Sequence, residues 1–390
     1  MNINRVICLV FLSASIGLAT TPASVAENRP LNPLEVEIDN SDPVIPLGYQ
    51  KRKLSVFEIN RIKREIEKLD RLAKDKLQQG NGNEAFKLWY RQLKLARAVD
   101  PETEIESLGE AGAIAWQANR GEDLRNIANR LITVESEIAD SDSSPSLKKL
   151  AIAYQQVRYL PQAISVWEQI LANNSQKKDF AAVENNLQTL GRLYLSQFDY
   201  PSAAKIYDRL LTEAEAESSE SPQIDLYLKT LINIYDRTAQ KKRAIDTRQR
   251  LITRYEAKQH KIPPLQLAIA DNYVALDKAV KAIAAYKSAH TLATKNQQLA
   301  IAEDALDNLG QLYQQQGQEQ KAVATFTRLL KLQRQTYNHY GLINTYDTLG
   351  KIYLKSARKQ QAKQSFQQAL KLAQDLDYKV SYFNSRLEKL

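Results

Sequence analysis
Six tyrosines, Tyr154, Tyr194, Tyr235, Tyr273, Tyr313 and Tyr353, recur at intervals of 38 to 41 residues. Each stands three residues after Ala, Gly or, once, Ile, and nine residues before an alanine. A fixed period of this size requires a stack of equivalent supersecondary units, each too small to bury its apolar face alone. That excludes most globular architectures. It points to a binding scaffold while leaving the bound partner open.

The strings that carry the period are LKKLAIAY (147–154), LQTLGRLY (187–194), LKTLINIY (228–235), LDNLGQLY (306–313) and YDTLGKIY (346–353). Apolar and small residues fall at i, i+3, i+4 and i+7, which is one face of an α-helix. After a short break a second amphipathic run follows, as in AAKIYDRLL (203–211) and AVATFTRLL (322–330). Its alanine is followed four residues later by an aromatic in most copies: Trp167, Tyr207, Tyr286, Phe326 and Phe366. Gly191, Gly310 and Gly350 occupy helix interiors, where Gly costs roughly 1 kcal/mol against Ala. The partner helix is therefore expected to come close, with Ala203, Ala322 and Ala362 facing the glycines.

The ordered pattern resembles the tetratricopeptide repeat (TPR) family, a helix–turn–helix unit. The resemblance implies an all-α, right-handed α-solenoid of about eight hairpins, beginning near residues 66, 105, 144, 184, 225, 263, 303 and 343. The first copy runs through Leu69, Leu72, Ala73, Ala85 and Trp89, and the second through Leu108, Gly112, Leu124 and Ala128. In the fifth, Ile232 fills the small site and Arg248 replaces the aromatic. A usual unit is shorter by about six residues, and the surplus is expected in the first helix of each hairpin. The tyrosines and Trp89, Trp116 and Trp167 are read as packing residues.

The ends differ from the repeats. Residues 1–26 carry Arg5, a 13-residue apolar run from Val6 to Leu18, and small residues Ser24 and Ala26 before Glu27. This reads as a secretory signal peptide, too short to span a bilayer. The expected location is exported, in a periplasm or thylakoid lumen. Residues 27–53, with Pro30, Pro33, Pro43 and Pro46, read as an extended linker. Ser55 and Glu58 form a capping box that starts the solenoid at 54–378. Residues 379–390, with Val380, Phe383, Leu387 and Leu390, read as a capping helix. Removing the leader removes the single Cys and the single Met, so no thiol chemistry or disulfide is expected.

Charge and motif content narrow the function. The formal charge is +9, but Lys and Arg alternate with acids and the densest basic clusters are three long, at 51–53 and 241–243. Nucleic acid is not expected as a partner; weak association with a membrane surface is. The run EAEAESSESPQID (213–225) reads as a solvated loop. His260, His290 and His339 lie in different repeats, with no pair at metal-ligand spacing. There is no phosphate loop and no nucleophile elbow. No catalytic residue and no cofactor is expected, and a monomer is.

The helix face opposite the packed one is free to bind. Its residues are basic or neutral in the middle repeats: Lys148, Gln155, Arg192, Lys229 and Asn233. In the later repeats they are acidic or neutral: Asp271, Asp304, Asp307, Asn308 and Asp347. Lys229 and Asn233 resemble part of the carboxylate clamp with which some TPR domains hold a peptide C-terminus. The companion basic residues are missing, since Leu267 and Ala268 stand there. The basic half is the favoured peptide site. The acidic half suits either a basic peptide or a divalent cation such as Mn²⁺ or Ca²⁺. The ensemble of leader, Pro-rich segment and long repeats resembles exported TPR proteins of cyanobacteria. That likeness implies an assembly role for a photosynthetic membrane complex; a cell-envelope adaptor is the alternative.

Overall fold
The six tyrosines mark one recurring turn. In the computed structural model, each tyrosine carbonyl accepts a hydrogen bond from the backbone N–H five residues on, at 2.8–2.9 Å. The residue four places after each tyrosine is left-handed: Arg158, Phe198, Ala239, Asp277, Gly317 and Ala357. This six-to-one bond around a left-handed residue satisfies an orphan helix carbonyl and reverses the chain. The alanine nine residues after the tyrosine then falls in the first turn of the next helix. The period is thus a helix, a fixed turn and a second helix.

The structure describes residues 32–36, 42–139 and 144–390. The leader expected at residues 1–26 lies outside them. Seventeen α-helices and no strand occur among the described residues. They are α1 Val56–Gln78, α2 Gly82–Val99, α3 Pro101–Gln117, α4 Gly121–Ile138, α5 Ser144–Gln156 and α6 Leu160–Lys177. Next come α7 Phe180–Ser196, α8 Tyr200–Glu217, α9 Pro222–Arg237, α10 Lys241–Arg254, α11 Ile262–Ala275 and α12 Ala279–Lys295. The last are α13 Leu299–Gln315, α14 Glu319–Gln335, α15 His339–Lys355, α16 Lys359–Asp375 and α17 Val380–Glu388. The chain forms an α-solenoid whose helices divide into two units, Met1–Tyr159 and Leu160–Leu390.

In the first unit α1 pairs with α2 and α3 with α4, and α5 packs mainly on α3. Gly109 and Gly112 permit that approach. A Cβ on Gly112 would lie 2.2 Å from Val157 Cγ1, so here the small site serves the next hairpin. Glu104 on α3 and Glu137 on α4 both bind the buried Arg130. Burial alone would lower the Arg130 pKa, but the two carboxylates more than offset it and raise it. Trp89 is buried, whereas Trp116, expected in the core, is half exposed. It ends α3 and faces Arg158, whose guanidinium stands over the ring.

The segment expected as an extended linker is seated on this unit in its described parts. Asn32 and Asp42 each cap a turn through their own side chains, accepting from Leu34 N and Val44 N at 3.0 Å. Those turns aim Leu34 and Ile45 inward, and Ile45 joins Ile62, Ile66, Leu69 and Leu95 in one cluster. Asn32 Nδ2 donates to the Asn126 carbonyl, and Arg91 pairs with Asp42. Proline fixed the turns here and did not extend the chain.

In the second unit α6 packs on α7, and the hairpins α7/α8, α9/α10, α11/α12, α13/α14 and α15/α16 follow, each touching the next. Helix α17 covers the last of them and buries Phe383 fully. The glycines face aromatic rings and not the alanines. A Cβ on Gly310 would lie 2.7 Å from the Phe326 ring, and one on Gly350 2.6 Å from Phe366. Four residues past Ala322 is one further turn on the same face, and it is there that the helices come nearest. The surplus length is shared between both helices: α13, α14, α15 and α16 each span 17 residues. The acidic run 213–225 is not one loop. Helix α8 continues to Glu217 and α9 begins at Pro222. Between them Arg254 binds the Ser219 and Ser221 carbonyls and Asp225.

Candidate functional site
Hydrogen bonds join the odd-numbered helices of the second unit in pairs, α7 with α9, α11 with α13 and α15 with α17. Gln188 on α7 donates to the Tyr227 hydroxyl on α9, which donates in turn to Glu184. Asn308 on α13 reaches Asp271 on α11 at 3.4 Å. Tyr382 on α17 donates to Asp347 on α15. The register is set by the turn tyrosines. Residues two, six and nine places before each tyrosine of the second unit lie outside the buried set.

The residues of the basic half lie on α5, α7 and α9. Arg192 and Lys229 are exposed on α7 and α9. Asn233 is also exposed, but its side-chain carbonyl is held by Arg237 Nε at 2.8 Å. That bond engages the acceptor oxygen of Asn233, while a carboxylate would accept from its Nδ2. Lys148 belongs to the first unit, exposed on α5.

The acidic half separates into residues that are engaged and residues that are not. Asp347 is neutralised by Lys351 Nζ at 2.6 Å and bonded by Tyr382. Asp271 accepts from the Tyr286 hydroxyl at 2.6 Å and lines a small cleft of about 180 Å³ between α11 and α13. Burial first, and then that carboxylate, push the Tyr286 phenol up. Asp304 and Asp307 line a second, larger cleft of about 290 Å³ between α13 and α15. Its opposite wall is Asn344, Thr345 and Thr348, and its floor is the buried Gln333. No Lys or Arg pairs with Asp304 or Asp307 among the described residues. Burial, then Glu303 and Asp271, raise the Asp304 carboxyl. Burial and Asp304 raise that of Asp307, against a hydrogen bond from Gln311.

The four aspartates lie in different surroundings, and no group of three His, Cys, Asp or Glu that could hold a metal occurs among the described residues. What the second cleft offers is two carboxylates without a cationic partner, beside Glu303, which Thr336 and Asn338 hold, set among amides and hydroxyls. That suits a guanidinium or an ammonium group, which brings several donors and one diffuse charge.

Sequence reading found Asp304 and Asp307 but missed Gln311, Asn344 and Thr348. The turn register would have found the first two. Gln311 stands two residues before Tyr313, as Asp271 does before Tyr273, and Asn344 stands nine before Tyr353, as Asp304 does before Tyr313. A further cleft, of about 480 Å³, lies in the first unit around Trp116, Arg120 and Leu124; the Trp116 core expectation concealed it.

Residues 301–375, which cover α13 to α16, match the tetratricopeptide repeat family model. Among solved structures the chain is similar to BtubC (BKLC) from P. vanneervenii, at 17% identity over 56% of this chain and 92% of that one, with a TM-score of 0.39. It is also similar to aspartyl phosphate phosphatase F from Bacillus subtilis, at 16% identity over 73% and 78%, with a TM-score of 0.39. A third is a Podosopora anserina putative kinesin light chain with nearly identical TPR-like repeats, at 18% identity over 49% and 95%, with a TM-score of 0.35. No curated protein matches.

Proposed function
We propose that this chain, whose residues 301–375 are tetratricopeptide repeats, is a protein-interaction scaffold that seats a lysine- or arginine-bearing segment of a partner between α13 and α15. Tetratricopeptide repeats are a fold typical of such scaffolds. The observation that carries the reading is the pair Asp304 and Asp307, uncompensated in a polar cleft. The basic half plays the lesser part. Arg192 and Lys229 lie exposed on α7 and α9 and would attract an acidic stretch of the same segment. No catalytic role is proposed.

The leader pattern of residues 1–26 supports an exported location, in a periplasm or thylakoid lumen. The likeness to exported cyanobacterial TPR proteins supports assembly of a membrane complex as the setting. Lys and Arg side chains on the partner's segment would enter the cleft, exchange water for charge-assisted bonds and relieve the crowding of the two carboxylates.

Calorimetry with an arginine-containing peptide tests this on wild type and on Asp304→Asn/Asp307→Asn. The double variant should lose about 1.5–3 kcal/mol of binding, the range for hydrogen bonds to charged groups. Wild-type binding should weaken as the pH falls through the carboxylate range, because protonation removes the attraction. Equal affinity for both proteins would refute the site.

A further inference from the structure
Helix α1 carries a row of exposed cations on its outer side. Its inner side buries Ile62, Ile66, Leu69 and Ala73. On its outer side, at helical spacing, run Phe57, Arg61, Arg64, Lys68 and Arg71, all exposed, with the exposed Asp75 next in the series. Fourteen residues of helix span roughly 21 Å, so four cations form a straight row behind an aromatic tip. Val56, beside Phe57, is 75% exposed and Phe57 is 72% exposed.

The charge balance is local. Residues 52–78 hold nine Lys and Arg against five Asp and Glu, a net +4 out of the +9 of the whole chain. Three of those acids are occupied within the fold. Glu58 binds Arg52, Glu65 binds Arg91 and Lys68, and Asp70 binds Lys74 and Trp89. Within the row, Arg61 and Arg64 touch only backbone carbonyls, of Val44 and Asn60. Each such contact leaves the guanidinium its charge and most of its donors.

We propose that α1 lies flat on a bilayer surface bearing anionic headgroups. The row of cations meets headgroup phosphates, while Val56 and Phe57 dip among the headgroups at one end. Two features select this occupant. The cations lie along the exposed side of one long helix, which suits a plane and not a side chain or peptide. The apolar pair is continuous with the basic row, as in helices that lie in a membrane interface. The contact is peripheral, since among the described residues no helix is long and apolar enough to cross a membrane.

Flotation of the full chain with two kinds of vesicle tests the proposal: phosphatidylcholine alone, and equal parts phosphatidylcholine and phosphatidylglycerol. Wild type should float with the phosphatidylglycerol vesicles only, and less so as sodium chloride is raised. Arg64→Glu/Arg71→Glu should weaken binding at least roughly tenfold, and Phe57→Ser a few-fold, with helix content and melting unchanged. Lys241→Glu/Lys242→Glu on α10 serves as the control for net charge and should bind as wild type does. The proposal is overturned by equal flotation with phosphatidylcholine alone, which would assign binding to the apolar run at 6–18. It is overturned equally by no flotation at all, by an α1 variant that floats like wild type, or by a control that falls as far as that variant.

Discussion

The seventh hairpin, α13/α14, and the fifth, α9/α10, close the same gap in different ways. In the seventh, Gly310 leaves a hollow that the Phe326 ring fills, and the ring is fully buried. In the fifth, Ile232 already occupies the hollow and the aromatic site holds Arg248, which is buried as well. The Arg248 guanidinium turns aside to Asp236, one turn beyond Ile232, and grips both carboxylate oxygens. An aliphatic side chain and an ion pair thus replace a ring on a glycine. The exchange is not free, since a buried guanidinium loses hydration that a half-exposed carboxylate only partly restores. The family model matches two hairpins of the ring version, α13/α14 and α15/α16.

Substitutions can break this contrast or sharpen it. Phe326→Ala should be the most damaging, at about 3–5 kcal/mol, because it empties a fully enclosed site; urea unfolding measures it. Gly310→Ala should cost about 1–3 kcal/mol, since a Cβ 2.7 Å from a ring enclosed on all sides forces both helices to shift. Arg248→Ala should cost less, about 1–2 kcal/mol, because Asp236 is partly solvated and rehydrates. Ile232→Gly combined with Arg248→Phe should cost less than the two single changes together, because the pair rebuilds the ring-on-glycine contact. Strict additivity would mean that the two hairpins differ by more than these positions.

Smaller effects come from the turns and the acidic cleft. The left-handed site is Gly317 in the seventh hairpin and Ala239 in the fifth. Ala239→Gly should raise stability by up to about 1 kcal/mol, and Gly317→Ala should lower it by a similar amount. The Asp307 carboxyl is raised in the folded state, so its contribution is favourable below the unfolded pKa and is lost as pH rises through the folded one. Asp307→Asn should therefore lift the melting temperature slightly at neutral pH, with the gain vanishing in acid. A loss at neutral pH would show that the carboxylate is paired after all.

Much of the fold was legible because the repeat states it many times over. The tyrosines, the alanines nine residues on and the capping box at Ser55 follow from local helix and turn chemistry, which sequence spacing encodes directly. The facing residue of each glycine was misread by one helical turn, since spacing along one helix does not report where its partner comes nearest. The prolines before Ser55 suggested extension, yet the side chains of Asn32 and Asp42 cap turns there. The site was half legible. Asp304 and Asp307 stood out by charge, but their freedom, and the occupation of Asp347 by Lys351 and of Asn233 by Arg237, depend on side-chain contacts that no periodicity records.

The most direct test is hydrogen exchange across the second unit with and without a bound arginine-containing segment. The account predicts slowed exchange in α13 and α15, around Asp304, Asp307 and Asn344, with the first unit unchanged. Protection centred on α7 and α9, around Arg192 and Lys229, or spread evenly along the helices, would contradict it.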